Sequence, residues 1–269
     1  MLLDCTLRDG GNRNNWNFSD EVVEKYLKTV HNAGISFVEL GLRLLKKDNT
    51  YGKLAYCPDE YLQSISIPEQ LRLAVMIKAK EFLDCDAEKN LDSLFDNKKN
   101  SRIDVVRIAA AYHKASKCRQ ICDMLKDKGY DVALNLTKVT PDCEDVFLRT
   151  VQTVIEWKNF DILYFADTFG QLTPQQTGHF VRLIRQKYDG TLGFHGHNDK
   201  GFALENSLTA LENGVNIVDS TLFGIGKGIG NLPTEVIAAE LNKKFGQKYN
   251  LQAFSSSPLN RNHISFFCR

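Results

Sequence analysis

Residues 191–201 read TLGFHGHNDKG, a short apolar run that ends in two histidines and an Asn-Asp pair. His195 and His197 stand two residues apart, so both rings project from the same side of an extended chain. Similar runs rich in Val, Ile and Leu recur along the sequence: LLDCTL (2–7), SFVELGL (36–42), LRLAVMI (71–77), IDVVRIA (103–109), DVALNLT (131–137), DILYFAD (161–167) and NIVDSTL (216–222). The quoted stretch therefore begins with one of eight predicted strands.

Helical patterns separate the predicted strands. Residues 19–34, SDEVVEKYLKTVHNAG, begin with a Ser N-cap and end in Gly, and residues 173–188, TPQQTGHFVRLIRQKY, place Pro in the first turn. Residues 141–157 and 231–246 have the same 3.6-residue apolar rhythm. Eight strands, each followed by a helix, predict a closed (β/α)8 TIM barrel; an open, doubly wound sheet is the alternative.

The bulk properties of the chain suit a single barrel. A barrel of this type needs about 250 residues, so we expect a catalytic domain over 1–246 and a short C-terminal tail over 247–269. The net charge of +1 gives no electrostatic reason to expect binding to nucleic acid or to an anionic membrane. No apolar stretch approaches the roughly 20 residues that span a bilayer, and the N-terminus does not resemble a signal peptide. Seven cysteines without metal-finger spacing predict free thiols in a reducing cytoplasm.

Polar residues cluster where the predicted strands end, which is where barrels carry catalytic groups. Arg8 and Asp9 follow strand 1, His195 and His197 end strand 7, and Asn231 opens the last predicted helix. Because strands 7, 8 and 1 are neighbours in a closed barrel, these side chains should meet at its mouth. A carboxylate, two imidazoles and an amide oxygen suit a divalent ion with positions open to substrate. Histidines buried as ordinary core residues are the alternative, and the His-X-His placed opposite an Arg-Asp pair favours the metal site.

Three motifs together, LDCTLRDGG, FHGHND and DSTLFGIGKGIGNLPTE, resemble the DRE-TIM metallolyase family over almost the whole chain. That family contains 4-hydroxy-2-oxovalerate aldolase, the isopropylmalate and citramalate synthases, and 3-hydroxy-3-methylglutaryl-CoA lyase. The resemblance implies Mn²⁺ or Mg²⁺ as the cofactor and an arginine that stabilises enolate charge. The implied ligands are Asp9, His195 and His197, with Asn231 on or beside the metal, and Arg8 is the implied arginine.

The resemblance is closest to 4-hydroxy-2-oxovalerate aldolase. The loop GIGKGIGN lacks the reactive cysteine of the 3-hydroxy-3-methylglutaryl-CoA lyases, and the first motif reads Arg-Asp-Gly-Gly-Asn where the synthases usually read Arg-Asp-Gly-Glu-Gln. However, Asn12 stands where that aldolase has its general-base histidine, and an amide cannot accept a proton at neutral pH. The tail is too short for the region that docks a partner dehydrogenase, so we expect no channelling dehydrogenase partner. The segment GGNRNNWNF (10–18) resembles a branch of the family found in sugar-modifying and surface-polysaccharide pathways. This resemblance implies a sugar-like aldehyde acceptor.

Further candidates follow from their positions at strand ends. Arg8, Asn12, Glu39 and His113 form the predicted catalytic set, and Lys78 and Tyr112 are additional candidate bases. For His113 a solvent-exposed helix cap is the alternative. The predicted substrate contacts are Arg43, Arg107, Asn135 and Asp167, and for Asp167 the preferred alternative is hydrogen-bonding support.

The sequence thus predicts a divalent-metal-dependent aldolase, a carbon–carbon lyase. It would form the enolate of pyruvate or a related 2-oxo acid and add it to, or release it from, an aldehyde. One alternative is a Claisen-type acyltransferase that joins an acyl-CoA to a 2-oxo acid. Another is a barrel that has lost catalysis and serves as a binding subunit. The expected partners are small molecules, with a homodimer as the default oligomer.

Overall fold

The computed structural model describes residues 1–83 and 86–257, and these form a closed barrel of parallel strands in sequential order. The strands are β1 (Leu2–Asp4), β2 (Phe37–Leu42), β3 (Arg72–Lys78), β4 (Val105–Ala111), β5 (Asp131–Thr137), β6 (Ile162–Asp167), β7 (Thr191–Gly196) and β8 (Ile217–Ser220). The helices are α1 (Thr6–Gly10), α2 (Asp20–Asn32), α3 (Asp59–Ser64), α4 (Ala87–Leu94), α5 (Arg119–Asp127), α6 (Glu144–Ile155), α7 (Pro174–Arg185), α8 (Ala203–Glu212) and α9 (Thr234–Phe245). The predicted (β/α)8 barrel is confirmed, and β1 pairs with β8 to close it. Residues 258–269 of the predicted tail lie outside the described residues.

The helix-capping residues predicted from the sequence form caps in the structure. The Ser19 hydroxyl accepts a hydrogen bond from a backbone amide at the start of α2, and Thr173 forms a complete capping box with Gln176. Gly246 ends α9 in the left-handed conformation, with φ of 65°. One prediction was wrong: α9 begins at Thr234, so Asn231 lies in the preceding loop and does not open the helix.

The barrel interior changes from apolar to polar along its axis. Alternate residues of each strand face inward, and the lower end is filled by one buried apolar cluster: Leu3, Cys5, Phe37, Ala74, Val105, Ala133, Ile162, Tyr164 and Ile217. On β7, a Cβ at position 193 would lie 2.2 Å from a ring atom of Tyr164, so only glycine leaves room for that ring. The buried polar groups lie above this cluster, towards the C-terminal ends of the strands.

An irregularity in β2 changes which of its side chains face inward. The pairing of β2 with β3 shifts between Glu39 and Gly41, so one residue of β2 is left over. Glu39 faces the interior from the middle of the strand and does not end it, contrary to prediction. Arg43 consequently faces outward, where it donates to Asp59 at 2.8 Å and lies over the Phe95 ring. The structure thus places Arg43 away from the barrel mouth, where it cannot hold a substrate carboxylate.

Two further properties concern the described residues. None of the described helices has both the length and the apolar character needed to cross a bilayer. The cysteines within the described ranges are buried free thiols, in agreement with prediction: Cys5, Cys57, Cys118, Cys122 and Cys143.

Candidate metal centre and active-site cavity

Three side-chain atoms converge at the mouth of the barrel. The Nε2 atoms of His195 and His197 are 3.4 Å apart, and Oδ2 of Asp9 lies 3.7 Å from the first and 3.9 Å from the second. A point equidistant from the three atoms is roughly 2.1 Å from each, the usual length of bonds from divalent metals to nitrogen and oxygen. All three residues are buried. The residues present therefore fit a divalent ion held by one carboxylate and two imidazoles.

Asn231 adjoins this group from the loop before α9. Its amide nitrogen donates to Oδ2 of Asp9 at 2.6 Å, while its Oδ1 is buried without a protein partner among the described residues. A buried oxygen left without a partner is costly. Asn231 therefore braces the Asp9 carboxylate and keeps an oxygen available as a further donor to an ion.

The glycine-rich loop passes directly against the same group. A Cβ on Gly226 would lie 2.1 Å from Nδ2 of Asn231 and 3.3 Å from Oδ2 of Asp9. Any side chain larger than hydrogen would therefore collide with the Asn231 amide. This close approach explains why position 226 is a glycine.

Asp219 on β8 orients His195. Its Oδ2 lies 3.0 Å from Nδ1 of His195, so the proton on Nδ1 is donated to the carboxylate and the Nε2 lone pair is left facing Asp9 and His197. The same Oδ2 accepts from Arg107 at 2.6 Å. Sequence reasoning missed Asp219. Its position two residues after the inward-facing Ile217 was the available signal, because that spacing places it on the inner face of the strand.

A chain of alternating charges runs beneath the metal site. Oε2 of Glu39 accepts from Nε of Arg8 at 2.5 Å and pairs with Arg107 at 3.0 Å, while Arg8 lies 3.3 Å from Oδ1 of Asp9. Glu39 is pinned between two guanidinium groups and is not placed to accept a proton as the predicted base. Arg107 is fully buried and paired with Glu39 and Asp219, so it does not reach the cavity as a substrate contact.

The protonation states of the predicted ligands suit a metal. Burial alone would raise the pKa of Asp9, but the charge of Arg8, the two histidines and the hydrogen bond from Asn231 outweigh it and lower that pKa to about 2. Burial, together with the charge of neighbouring His195, lowers the pKa of His197 to about 4. At neutral pH the site therefore offers an ionised carboxylate and a neutral imidazole, the forms that bind metal.

A cavity of about 260 Å³ opens above these residues at the barrel mouth. It is lined by Arg8, Asp9, Asn12, Trp16, Leu42, Met76, Lys78, Ala109, Asn135, Thr137, Lys138, Ala166, Thr168, His195, His197 and Lys227. The structure thus brings Arg8, Asn12 and Asn135 to the metal site, as predicted by the sequence. Trp16, Lys138 and Lys227 were missed because they stand in loops, beyond the reach of a strand pattern.

Asn12 and Asn135 occupy different parts of this cavity. The Asn12 amide donates to the backbone oxygen of Asp9 at 2.9 Å and to its Oδ1 at 3.0 Å, so Asn12 supports a candidate metal ligand and cannot act as a base. Asn135 is 2% exposed, and its Oδ1 has no protein partner in the described part of the chain. Its amide is therefore free to bind a molecule in the cavity.

His113 and Asp167 do not line the cavity. His113 is exposed in the 3-10 turn that follows β4, as its alternative reading expected. Asp167 accepts from the backbone amides of Gln171 at 2.8 Å and Leu172 at 2.9 Å, and burial raises its pKa. It thus fixes the loop after β6, which agrees with its alternative role as hydrogen-bonding support.

Comparisons with known proteins agree with this site. The HMGL-like family model matches residues 1–257. Oxaloacetate decarboxylase of Mycobacterium tuberculosis is 27% identical over 250 residues, which cover 91% of this chain and 70% of that protein. 4-Hydroxy-2-oxovalerate aldolase of Thermomicrobium roseum is 29% identical over 246 residues, covering 90% and 66%.

A solved structure gives the same result for the fold. The N-terminal domain of a Bacteroides vulgatus protein assigned as an aldolase superposes with a TM-score of 0.81 at 28% identity, covering 95% of this chain and 84% of that one. The comparisons confirm the predictions of a DRE-TIM barrel and of a divalent-metal-dependent carbon–carbon lyase. The match to the family model over the whole described barrel shows that the chain belongs to the HMGL-like family.

Proposed function

We propose that this protein forms the enolate of pyruvate, or of a related 2-oxo acid, and adds it to an aldehyde or releases it from an aldol. The observation that carries this proposal is the convergence of Asp9, His195 and His197 on one point at the edge of a cavity. A divalent ion bound there supplies the Lewis acidity that polarises the keto group of the substrate. The mixed oxygen and nitrogen ligands suit Mn²⁺ or Mg²⁺.

Arg8 supplies a fixed positive charge beside the reacting oxygen. Glu39 and Asp9 hold its guanidinium, and Arg8 also lines the cavity. Because the charge is already oriented, it stabilises the developing enolate without reorganisation, an effect of about 3 kcal/mol for one such group. We assign Arg8 the role of stabilising the enolate oxygen.

Other lining residues bind substrate and exclude water. The unpaired Oδ1 of Asn135 is a hydrogen-bond acceptor at the cavity, so Asn135 is placed to accept a hydrogen bond from a hydroxyl group of the aldehyde or of the aldol. Apolar side chains form the remaining walls, namely Leu42, Met76, Ala109 and Ala166. These walls limit access of water to the enolate, which prevents its early protonation.

The lining offers no free histidine or carboxylate to accept a proton, within the ranges that the structure describes. Asp9, His195 and His197 form the metal site, and Asn12 is an amide bonded to Asp9. An aldol cleavage on this site would therefore use either water or Lys78 as its base, since Lys78 lines the cavity and burial lowers its pKa. This observation favours a second candidate, decarboxylation of a 2-oxo acid that carries a β-carboxylate. In that reaction the enolate electrons come from the breaking carbon–carbon bond, and no base is required.

Deuterium uptake by pyruvate tests the enolate directly. We would incubate the protein with pyruvate and Mg²⁺ or Mn²⁺ in D2O and measure the methyl group by mass spectrometry. We expect exchange that is abolished by a chelator and by His197→Ala. His179→Ala is the matched control, since His179 is exposed on α7 and pairs only with Glu144 in the described structure. Exchange that survives His197→Ala would contradict the assigned site.

Two further assays separate the alternatives. Release of carbon dioxide from oxaloacetate without pyruvate exchange would support the decarboxylase over the aldolase. Consumption of acetyl-CoA that depends on a 2-oxo acid would support the acyltransferase. If none of the three reactions occurs although the metal binds, the catalytic proposal fails and the binding-subunit alternative stands.

A further inference from the structure

Three lysines line the same cavity as the metal ligands. Lys78 ends β3, Lys138 follows β5, and Lys227 lies in the glycine-rich loop after β8. The one carboxylate in the lining is Asp9, which is committed to Arg8 and to the metal site. The cavity is therefore bordered by cationic groups that come from the end of β3 and from two separate loops at the mouth.

None of these ammonium groups has a carboxylate within ion-pair distance, 4.0 Å, among residues 1–83 and 86–257. Lys138 and Lys227 are exposed, but Lys78 is half-buried. Burial lowers the pKa of Lys78, and the more distant Glu81 only partly opposes that effect. Removing a cation from water without an anionic partner is unfavourable. The half-buried position of Lys78 is therefore explained if an anion enters the cavity and pairs with it.

The structure also fixes where Lys227 stands. The Arg13 guanidinium donates to the carbonyl oxygen of Gly226 at 2.7 Å and to that of Gly228 at 2.9 Å. These are the two residues on either side of Lys227. A clamp on both flanking peptides holds the loop over the cavity and reduces the entropy lost when Lys227 engages a ligand.

We propose that the aldehyde acceptor carries a phosphate group, held by Lys78, Lys138 and Lys227 at the outer end of the cavity. This inference rests on the proposed function, because it identifies the second substrate of the same site. Lysine binds phosphate as a point charge, and three such charges more than neutralise one dianion. Asn135 lines the same cavity and its Oδ1 has no protein partner among the described residues, so it can accept a hydrogen bond from a hydroxyl group of the connecting carbon chain.

Binding of a phosphate ester without an aldehyde tests the site independently of catalysis. We would titrate the Mg²⁺-loaded protein with glycerol 3-phosphate, glycerate and glycerol by calorimetry. We expect glycerol 3-phosphate to bind more than about tenfold tighter than glycerol, with an affinity that falls as salt is added. Glycerate binding equal to that of glycerol 3-phosphate would overturn the assignment of phosphate in favour of a carboxylate.

Lysine variants show whether these residues hold the phosphate. We expect Lys138→Ala and Lys227→Ala each to weaken binding of glycerol 3-phosphate by about three- to tenfold, and Lys78→Met to do the same. Lys28→Ala on α2 removes one charge far from the mouth and should change nothing. If the triple variant binds glycerol 3-phosphate as the unaltered protein does, the phosphate lies on the metal or elsewhere, and the proposal is wrong.

A kinetic comparison connects the site to the reaction. With pyruvate as the donor, we expect kcat/KM for glyceraldehyde 3-phosphate to exceed that for glyceraldehyde by more than about tenfold, and the ratio to approach one in the triple lysine variant. Deuterium exchange into pyruvate needs no acceptor. Absent exchange with intact phosphate binding would reject the proposed function alone, whereas normal exchange with no phosphate preference would reject only the phosphate subsite.

Discussion

His195 depends on one neighbour for its orientation, the carboxylate of Asp219 at 3.0 Å. Replacing Asp219 by Asn leaves the shape unchanged but removes the negative charge that holds the Nδ1 proton. We expect Asp219→Asn to lower the affinity for Mn²⁺ by roughly 10- to 100-fold, as measured by calorimetry. The matched substitution Asp131→Asn should leave the Mn²⁺ affinity unchanged, because Asp131 pairs with Arg72 at the opposite end of the barrel. Equal affinities in the two variants would contradict the orienting role.

The candidate metal ligands were predictable from the sequence, whereas the place of Arg107 was not. Asp9, His195 and His197 follow from strand-end position alone, because neighbouring strands in a closed barrel bring them together. Arg107 was expected to contact substrate, but an arginine inside a barrel is equally well placed to pair with buried acids, here Glu39 and Asp219. Sequence does not reveal which of these partners is available.

At the scale of elements, the loop between β8 and α9 must approach the metal site closely. We expect Gly226→Ala to weaken metal binding by roughly tenfold or more, because the added methyl group must displace the Asn231 amide that braces Asp9. Gly246→Ala is the control. It removes the left-handed end of α9 far from any contact, so it should cost about 1 kcal/mol of stability without changing metal affinity.

Asp4 at the end of β1 joins several elements through one buried carboxylate. It accepts hydrogen bonds from Thr6, from Tyr26 on α2 and from Thr234 at the start of α9. We expect Thr234→Val to lower the free energy of unfolding by about 1–3 kcal/mol in urea titrations, since a buried acceptor loses its donor. Thr153→Val, which loses only a bond to a carbonyl of its own helix, should stay within about 0.5 kcal/mol. A similar loss in both variants would show that Asp4 is not a special junction.

The sequence was enough to predict the positions of the eight strands, but not the exact pairing register between neighbouring strands. All eight apolar runs became strands, because a barrel strand buried on both faces needs a continuous apolar run. The extra residue in β2 has no such signature, and it turns Arg43 outward. The short first helix was also hidden, since Thr6 and Leu7 read as part of a strand.

At the scale of the whole molecule, an ion held by Asp9, His195 and His197 would connect the first helix to the seventh strand. An ion that binds only the folded barrel stabilises the whole barrel. At an ion concentration 100 times the dissociation constant, we expect the free energy of unfolding to rise by about 2.7 kcal/mol. Urea titrations with Mn²⁺ and with a chelator measure this difference. If calorimetry detects binding but Mn²⁺ leaves the midpoint of the urea transition unchanged, the unfolded chain must bind the ion equally well. The homodimer stays a prediction, which light scattering of the eluted protein checks.

The closure of the barrel between β1 and β8 has a consequence during biosynthesis. Asp9 and Asn231 stand 222 residues apart, although their side chains touch. At about 5–20 residues per second, a ribosome makes the second residue roughly 10–45 s after the first. During that interval β1 lacks its β8 neighbour, and an unpaired edge of this kind invites association with other nascent chains. The proposed ion site gains His195, His197 and Asn231 only late in synthesis, so we expect metal to bind only when almost the whole barrel has emerged.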